Sequence, residues 1–119
     1  MRTISNNKIS DIKQNNTGGW GSNGIWLDGG IAASNTNVYN NMISDVASFG
    51  FNGVAPTDNG YGIVISSGGG YNLYYNTILM NTNQTSATGL PAAINVTSGI
   101  TTANTLNVRD NLIDRKSVV

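Results

Sequence analysis

The chain has 119 residues, a length that allows one domain with a modest core. Six basic residues balance six acidic ones, and the charged fraction of 10% is far below the roughly 25% of ordinary soluble domains. Because the chain has no His, no Cys and no basic surplus, its composition excludes Ser-His triads, thiol nucleophiles, zinc fingers, disulfides and electrostatic binding of nucleic acid.

A six-residue block recurs four times along the chain. It consists of an aliphatic residue, two variable residues, Asn, one variable residue and Ile, and successive blocks lie 34, 35 and 35 positions apart. A fixed period of this length indicates a repeat architecture. The four blocks begin at Ile4, Val38, Leu73 and Val108.

A shorter block lies between these and reads small, apolar, variable, apolar, beginning at Gly24, Gly62 and Ala93. Both blocks alternate with a period of two residues and are too short for helices, so they predict strands. A unit of about 35 residues with three short strands and turns of Gly, Asn, Ser and Thr is typical of a solenoid, in which each strand stacks on its equivalent one turn later. We therefore expect an all-β chain of about three coils with three short parallel sheets.

Aliphatic residues at equivalent positions are expected to stack into interior columns. A fully buried aliphatic side chain contributes about 1.5 to 3 kcal/mol, so these columns provide most of the stabilisation of such a fold. The expected columns are Ile25, Ile63 and Ile94; Leu27, Ile65 and Val96; Ile4, Val38, Leu73 and Val108; and Ile9, Ile43, Ile78 and Ile113.

The repeated Asn residues are Asn7, Asn41, Asn76 and Asn111. Each lies between two inward aliphatic residues, where the strand must bend, and Asn tolerates the left-handed backbone region better than other non-Gly residues. Stacked about 4.8 Å apart, each side-chain amide can donate to one neighbour and accept from the other. We interpret the four as an asparagine ladder; the alternative is that they converge on a ligand.

The blocks at residues 62–65 and 73–78, Gly-Ile-x-Ile followed by Leu-x-x-Asn-x-Ile, resemble the right-handed parallel β-helix repeat of the pectate-lyase-like superfamily. The resemblance covers nearly the whole chain. It implies that the Gly-Ile block forms a first sheet, the aliphatic residue before Asn a second sheet, and the Ile after Asn a third. It implies a fold and not an activity, because the superfamily contains polysaccharide-degrading enzymes, phage tailspikes and adhesins.

We expect the β-helix segment to cover residues 1–113 and to be an internal piece of a longer chain, because no capping segment is evident at either end. Further coils of that chain would then be its neighbours. Residues 114–119, Asp-Arg-Lys-Ser-Val-Val, change the composition abruptly and resemble the translation of a common sequencing adapter. We expect a non-native tail there; a genuine charged terminus is the alternative.

Trp26 is expected to face outward, between the inward Ile25 and Leu27, with Val64 and Asn95 in the same column. Exposed aromatic rings on such faces are typical of polysaccharide binding, because the apolar side of a pyranose stacks on them. By the family resemblance, this face forms the substrate groove. The alternative is that a loop carrying Trp20, or the next one with Phe49 and Phe51, packs over Trp26.

Tyr39 and Tyr74 occupy equivalent outward positions in the second sheet. We expect the two rings to stack on each other, since cross-strand aromatic pairs stabilise sheets. A sugar-binding platform is the alternative interpretation.

Hydrolysis of glycosidic bonds requires two carboxylates about 5 to 10 Å apart. Asp11 and Asp45 lie one coil apart but are more simply turn residues, and Asp28 precedes two Gly residues in a strong turn signal. We regard Asp28 as the best candidate for a side chain that binds a hydroxyl group or, alternatively, a calcium ion. We expect no other cofactor, and the sequence shows no complete catalytic set.

We expect a segment of an exported, extracellular or cell-surface protein that binds or processes polysaccharide or a cell-surface glycan. The candidate binding residues are Trp26, Trp20, Asp28 and Asn95. A Cys-free composition rich in Asn, Thr, Ser and Gly is common in bacterial exported proteins; no signal peptide or membrane-spanning run is present, so an export signal would lie upstream. The alternative is a structural or adhesive stalk with no catalytic role.

Overall fold

The computed structural model describes residues 1–18, 20–50, 55, 57–84 and 90–115. In that part of the chain every regular element is a β-strand, and no helix long and apolar enough to cross a membrane occurs there. Phe51 and residues 116–119, on which two of the predictions above fall, lie outside the described residues. The strands are β1 (Arg2–Ser5), β2 (Lys8–Gln14), β3 (Ser22–Asp28), β4 (Thr36–Tyr39), β5 (Met42–Ser48), β6 (Gly60–Ser67), β7 (Tyr71–Tyr74), β8 (Thr77–Met80), β9 (Ala92–Val96), β10 (Leu106–Arg109) and β11 (Leu112–Arg115).

The strands form three parallel sheets, as the repeat predicts. The first sheet has the order β3-β6-β9, the second β1-β4-β7-β10 and the third β2-β5-β8-β11. Each strand pairs with its equivalent one repeat later, so that Ile63 lies beside Ile94 and Val38 beside Leu73. This arrangement is compatible with a parallel β-helix.

The predicted aliphatic columns form the core. Residues in the middle of each column, such as Val38, Leu73, Ile43 and Ile78, are completely buried. Tyr71 and Met80, which the repeat does not single out, join the same cluster. The core therefore runs along the stack as parallel rows of aliphatic side chains.

The four repeated Asn side chains form a continuous chain of hydrogen bonds. The Nδ2 atoms of Asn7, Asn41 and Asn76 each donate to the Oδ1 atom of the next Asn at 2.8, 2.9 and 2.9 Å. The backbone N–H of each of the three donates to the same oxygen, at 3.2, 3.1 and 2.9 Å. Each Nδ2 also donates to a backbone carbonyl oxygen, as Asn76 does to Val38 at 2.9 Å. The amides thereby satisfy backbone groups at the bend between the second and third sheets.

The expectation that these Asn residues themselves adopt the left-handed backbone is wrong. The residues with positive φ are those immediately before them: Asn6, Asn40, Tyr75 and Asp110, with φ between 52° and 58°. The bend thus occurs one residue earlier, which turns the following Asn inward, where its amide can bond along the stack. Asn and Asp at three of the four bend positions fit the left-handed region, whereas Tyr75 does so at a steric cost.

The last strand extends two residues beyond the predicted limit of the β-helix segment. Asp114 and Arg115 continue β11 and pair with Leu79 and Met80 of β8. This pairing does not bear on the origin of residues 114–119, so the non-native tail stays a prediction.

Candidate functional site

Trp26 lies on the outer side of β3, in register with Val64 of β6 and, through it, with Asn95 of β9. Its side chain is 45% exposed. The indole Nε1 donates a hydrogen bond of 2.7 Å to Oγ of Ser66, and that hydroxyl donates in turn to the carbonyl oxygen of Leu27 at 3.2 Å. The ring is therefore held in one orientation, leaning toward β6, while nearly half of its surface remains in contact with solvent.

The other members of the column differ in exposure. Val64 is completely buried, although it occupies an outward position, and Asn95 is half-buried. Two strand spacings of about 4.8 Å separate Asn95 from Trp26 along the stack. Trp20, in the segment before β3, is 63% exposed. The described residues therefore leave both Trp side chains accessible, and the predicted covering role of Phe51 lies outside them.

Asp28 ends β3, two residues after Trp26. The register of β3 on β6 shifts between Leu27 and Asp28, so that Asp28 lies beside Ser67. The hydroxyl of Ser67 donates a hydrogen bond to the Asp28 carboxylate. Among the described residues, no group of three or more His, Cys, Asp or Glu side chains is placed to hold a metal ion. Asp28 is thus an exposed acceptor whose partner among the residues that the structure describes is Ser67.

An open cleft of about 200 Å³ lies beside Asp28. Arg2 of β1 and Trp26 contribute to its lining. Tyr71 forms part of its wall and fixes the turn after Asp28, since its hydroxyl accepts from the N–H of Gly29 at 2.6 Å and donates to the carbonyl oxygen of Ser67 at 2.8 Å. The cleft therefore places a cation, a carboxylate and an indole around one opening.

Sequence reasoning did not identify Arg2, Ser66 or Tyr71 as parts of this site. Ser66 lies 40 positions from Trp26, and Tyr71 lies 42 positions from Gly29. The strand partner of Trp26 in the first sheet, Val64, lies 38 positions away. The pairs with Ser66 and Tyr71 depend instead on the register shift at the end of β3 and on long side chains that reach out of register. No signal in the sequence gives the position of that shift.

The two carboxylates one coil apart share a single cation. The ammonium group of Lys13 lies 2.7 Å from Asp11 and 2.6 Å from Asp45. The hydrogen bond and the charge of Lys13 lower the pKa of the exposed Asp11 carboxyl. The bond to Asp11, followed by that to Asp45, raises the pKa of Lys13. A carboxyl with a lowered pKa is a poor general acid, so this cluster acts as an ionic clamp between two coils.

On the second sheet, Tyr39 and Tyr74 stack on each other as predicted, with ring centroids 5.1 Å apart and an interplanar angle of 2°. The guanidinium group of Arg109 lies 5.8 Å from the centroid of the Tyr74 ring. Stacked rings present their edges outward: Tyr74 lies between the Tyr39 ring and the Arg109 cation, and Tyr39 lies between Tyr74 and Ser5 of the neighbouring strand. This surface therefore offers no flat aromatic platform comparable to that of Trp26.

Comparison of this chain with protein-family models, with curated proteins and with solved structures found no match. The resemblance to the pectate-lyase-like superfamily thus rests on the repeated residue pattern, and the three parallel sheets are compatible with it.

Proposed function

We propose that the chain is a segment of a right-handed parallel β-helix of the pectate-lyase-like kind, from an exported protein that acts at the cell surface or outside the cell. The repeat of 34 or 35 residues, the three parallel sheets and the Asn hydrogen bonds support this assignment. A composition poor in charge and free of Cys is in keeping with export.

The function that we propose for this segment is the binding of polysaccharide on the outer side of the first sheet. The observation that carries the proposal is the Trp26 indole, which is half exposed and fixed by its hydrogen bond to Ser66. A fixed ring loses little conformational entropy when a pyranose stacks on it, so more of the stacking energy contributes to affinity. Carbohydrate fits this position, because an open cleft with polar groups, lined by Asp28 and Arg2, adjoins the ring.

Polar groups near Trp26 supply partners for sugar hydroxyls. Asp28 accepts, Arg2 donates, and the amide of Asn95 does both. Trp20 adds a second exposed aromatic ring in the segment that leads into β3. The proposal includes binding only, since no described carboxylate pair is free of the Lys13 clamp and placed beside Trp26.

A structural or adhesive stalk is the second candidate. Two outer surfaces are occupied by contacts between coils, namely the Tyr39–Tyr74 stack and the Lys13 clamp. Such contacts stiffen a spacer and leave little surface for a ligand. The two candidate functions make different predictions for the face that carries Trp26: a polysaccharide-binding segment uses this face, and a stalk does not.

A glycan array, followed by a pull-down on insoluble polysaccharides, tests the proposal with Trp26→Ala against the parent protein. Tyr75→Ala is the matched control, because Tyr75 is an exposed aromatic residue on another face. We expect Trp26→Ala to lower affinity at least about tenfold, or ~1.4 kcal/mol, and Tyr75→Ala to leave it unchanged. Equal binding by parent and Trp26→Ala would remove the proposed site, and a parent that binds no glycan favours the stalk.

A further inference from the structure

Three of the five tyrosines form a cluster on the outer side of the second sheet, where the chain bends toward the third sheet. They are Tyr39, Tyr74 and Tyr75. The other two, Tyr61 and Tyr71, are 1% and 2% exposed, so their rings are shielded from solvent. A reagent in solution that attacks phenol groups therefore meets the cluster.

Tyr39 and Tyr74 are held as a pair. They lie in register on β4 and β7, and their parallel rings have centroids 5.1 Å apart. Both side chains are half-buried, so part of each remains in contact with solvent. The guanidinium group of Arg109 lies on the Tyr74 ring, and Ser5 of β1 lies beside Tyr39. Among the described residues, each ring of the pair therefore has the other as its stacked aromatic partner.

Tyr75 contacts the pair in a different way. Its ring meets that of Tyr74 at an angle of 87°, with the centroids 5.5 Å apart, and its side chain is 62% exposed. An edge-to-face contact directs the edge of one ring at the face of the other, so it does not bring two ring edges together. Parallel rings have their edges side by side, and a rotation about the side-chain bonds brings an edge of Tyr39 against an edge of Tyr74.

We propose that Tyr39 and Tyr74 are the site of an oxidative cross-link, a dityrosine bond between neighbouring coils, formed by a peroxide and a haem peroxidase. Each ring loses one electron and its phenolic proton, which leaves two phenoxyl radicals. The radicals form a carbon–carbon bond between their ortho carbons, and the proton on each of these carbons moves to the phenol oxygen. The two electrons and two protons that were removed reduce one hydrogen peroxide to two molecules of water.

The register of the second sheet makes this coupling intramolecular. Because β4 and β7 hold the two rings together before oxidation, the second radical forms beside the first, and no collision between chains is required. The chain has no Cys, so no disulfide joins its coils, and a dityrosine bond would supply such a link. The pair lies on the second sheet and Trp26 on the first, so the inference is independent of polysaccharide binding.

Oxidation of the full chain at low concentration by hydrogen peroxide and a haem peroxidase tests the proposal. Dityrosine fluorescence and the loss of two hydrogen atoms from the mass of the monomer report the bond. Cleavage before each Asp places Tyr39 in the peptide of residues 28–44 and Tyr74 in that of residues 58–109, so the product contains these two peptides joined. The variants are Tyr39→Phe and Tyr74→Phe, which keep a ring in the stack, and Tyr75→Phe is the matched control outside it.

We expect the parent protein and Tyr75→Phe to form the bond within the monomer, and the Tyr39→Phe and Tyr74→Phe variants to form at least about tenfold less of it. The cross-linked parent should have a urea midpoint about 1 M higher, because the bond closes a loop in the unfolded chain. Four results would each overturn the proposal: no bond in the parent, a bond that persists in Tyr39→Phe, an equal loss in Tyr75→Phe, or a bond found only between two copies of the chain.

Discussion

The middle coil and the last coil contain the same kinds of inward residues but bury them very differently. In the middle coil, β6, β7 and β8 carry Ile65, Leu73 and Ile78, which are completely buried. In the last coil, the equivalent residues of β9, β10 and β11 are 46%, 43% and 48% exposed: Val96, Val108 and Ile113.

The difference shows that in this fold an aliphatic residue is buried by its neighbours along the stack, and not by its own position on the inner face. Leu73 has Val38 on one side and Val108 on the other, whereas Val108 has a described neighbour on one side only. Because the hydrophobic contribution scales with the apolar area removed from water, identical inward positions stabilise the protein unequally.

The largest expected effect is the difference in unfolding free energy between the same substitution in the middle coil and in the last coil. Ile78→Ala should lower the free energy of unfolding by about 4 kcal/mol, because it removes a buried side chain and leaves a cavity in a column closed on both sides. Ile113→Ala, at the equivalent position, should cost about 1 kcal/mol or less, since water already reaches half of that side chain. Urea denaturation followed by circular dichroism measures both. Equal losses for the two variants would contradict the dependence of burial on stacked neighbours.

The Asn hydrogen bonds extend the comparison of the middle and the last coil to polar groups. Asn76→Ala should cost about 3 kcal/mol, because it removes the partners of the buried carbonyl oxygen of Val38 and of the backbone N–H of Asn41. Asn111→Ala should cost about 1 kcal/mol, because Asn111 is closer to solvent and water can replace its bonds. Urea midpoints again give the difference. A loss for Asn111→Ala as large as that for Asn76→Ala would show that position along the stack does not set the value of these hydrogen bonds.

The smallest effect concerns the Lys13 clamp, which joins the first two coils through solvent-exposed charges. The pKa of Asp11 lies below its ordinary value of 3.8, so the clamp stabilises the fold above that pH and loses its effect as the pH falls through the lowered pKa. The pKa of Lys13 lies above its ordinary value of 10.5, so its contribution is complete below pH 10.5 and is lost as the pH rises through the raised pKa.

Lys13→Met should therefore lower the urea midpoint slightly at pH 7, and the difference from the parent protein should shrink as the pH falls below 3.8 and in about 1 M NaCl. Titration of the urea midpoint between pH 2 and 8 measures this. A difference that persists unchanged at acid pH or at high salt would show that the stem of Lys13 contributes by packing and not by charge.

Most of the fold was predictable because its information is periodic. Asn41 and Asn76, like Val38 and Leu73, lie 35 positions apart, and this spacing gives the register of the parallel strands, since each pair must lie in adjacent layers. The left-handed bend was placed one residue too late because Asn occurs at both positions in the first two repeats, at Asn6 and Asn7 and at Asn40 and Asn41. The third and fourth repeats have Tyr75 and Asp110 before the Asn, but Tyr is an unexpected residue for a left-handed backbone, and Asp tolerates that region much as Asn does.

The candidate site was predictable only in part. Trp26 and Asp28 follow from strand alternation and a turn signal, but Ser66, Ser67 and Tyr71 reach them through a register shift that the repeat does not encode.

The sequence by itself determined what is repeated: the strand type, the layer to which each residue belongs, and the set of side chains that stack in each column. The tertiary structure decided what is not repeated: which aliphatic residues at the ends of the columns are exposed to solvent, where the register of β3 on β6 shifts, and how much of the Trp26 ring is covered. The physical reason is that a repeated contact joins residues at equivalent places in a recurring sequence pattern, whereas exposure and side-chain hydrogen bonds depend on every neighbour that surrounds a residue in space.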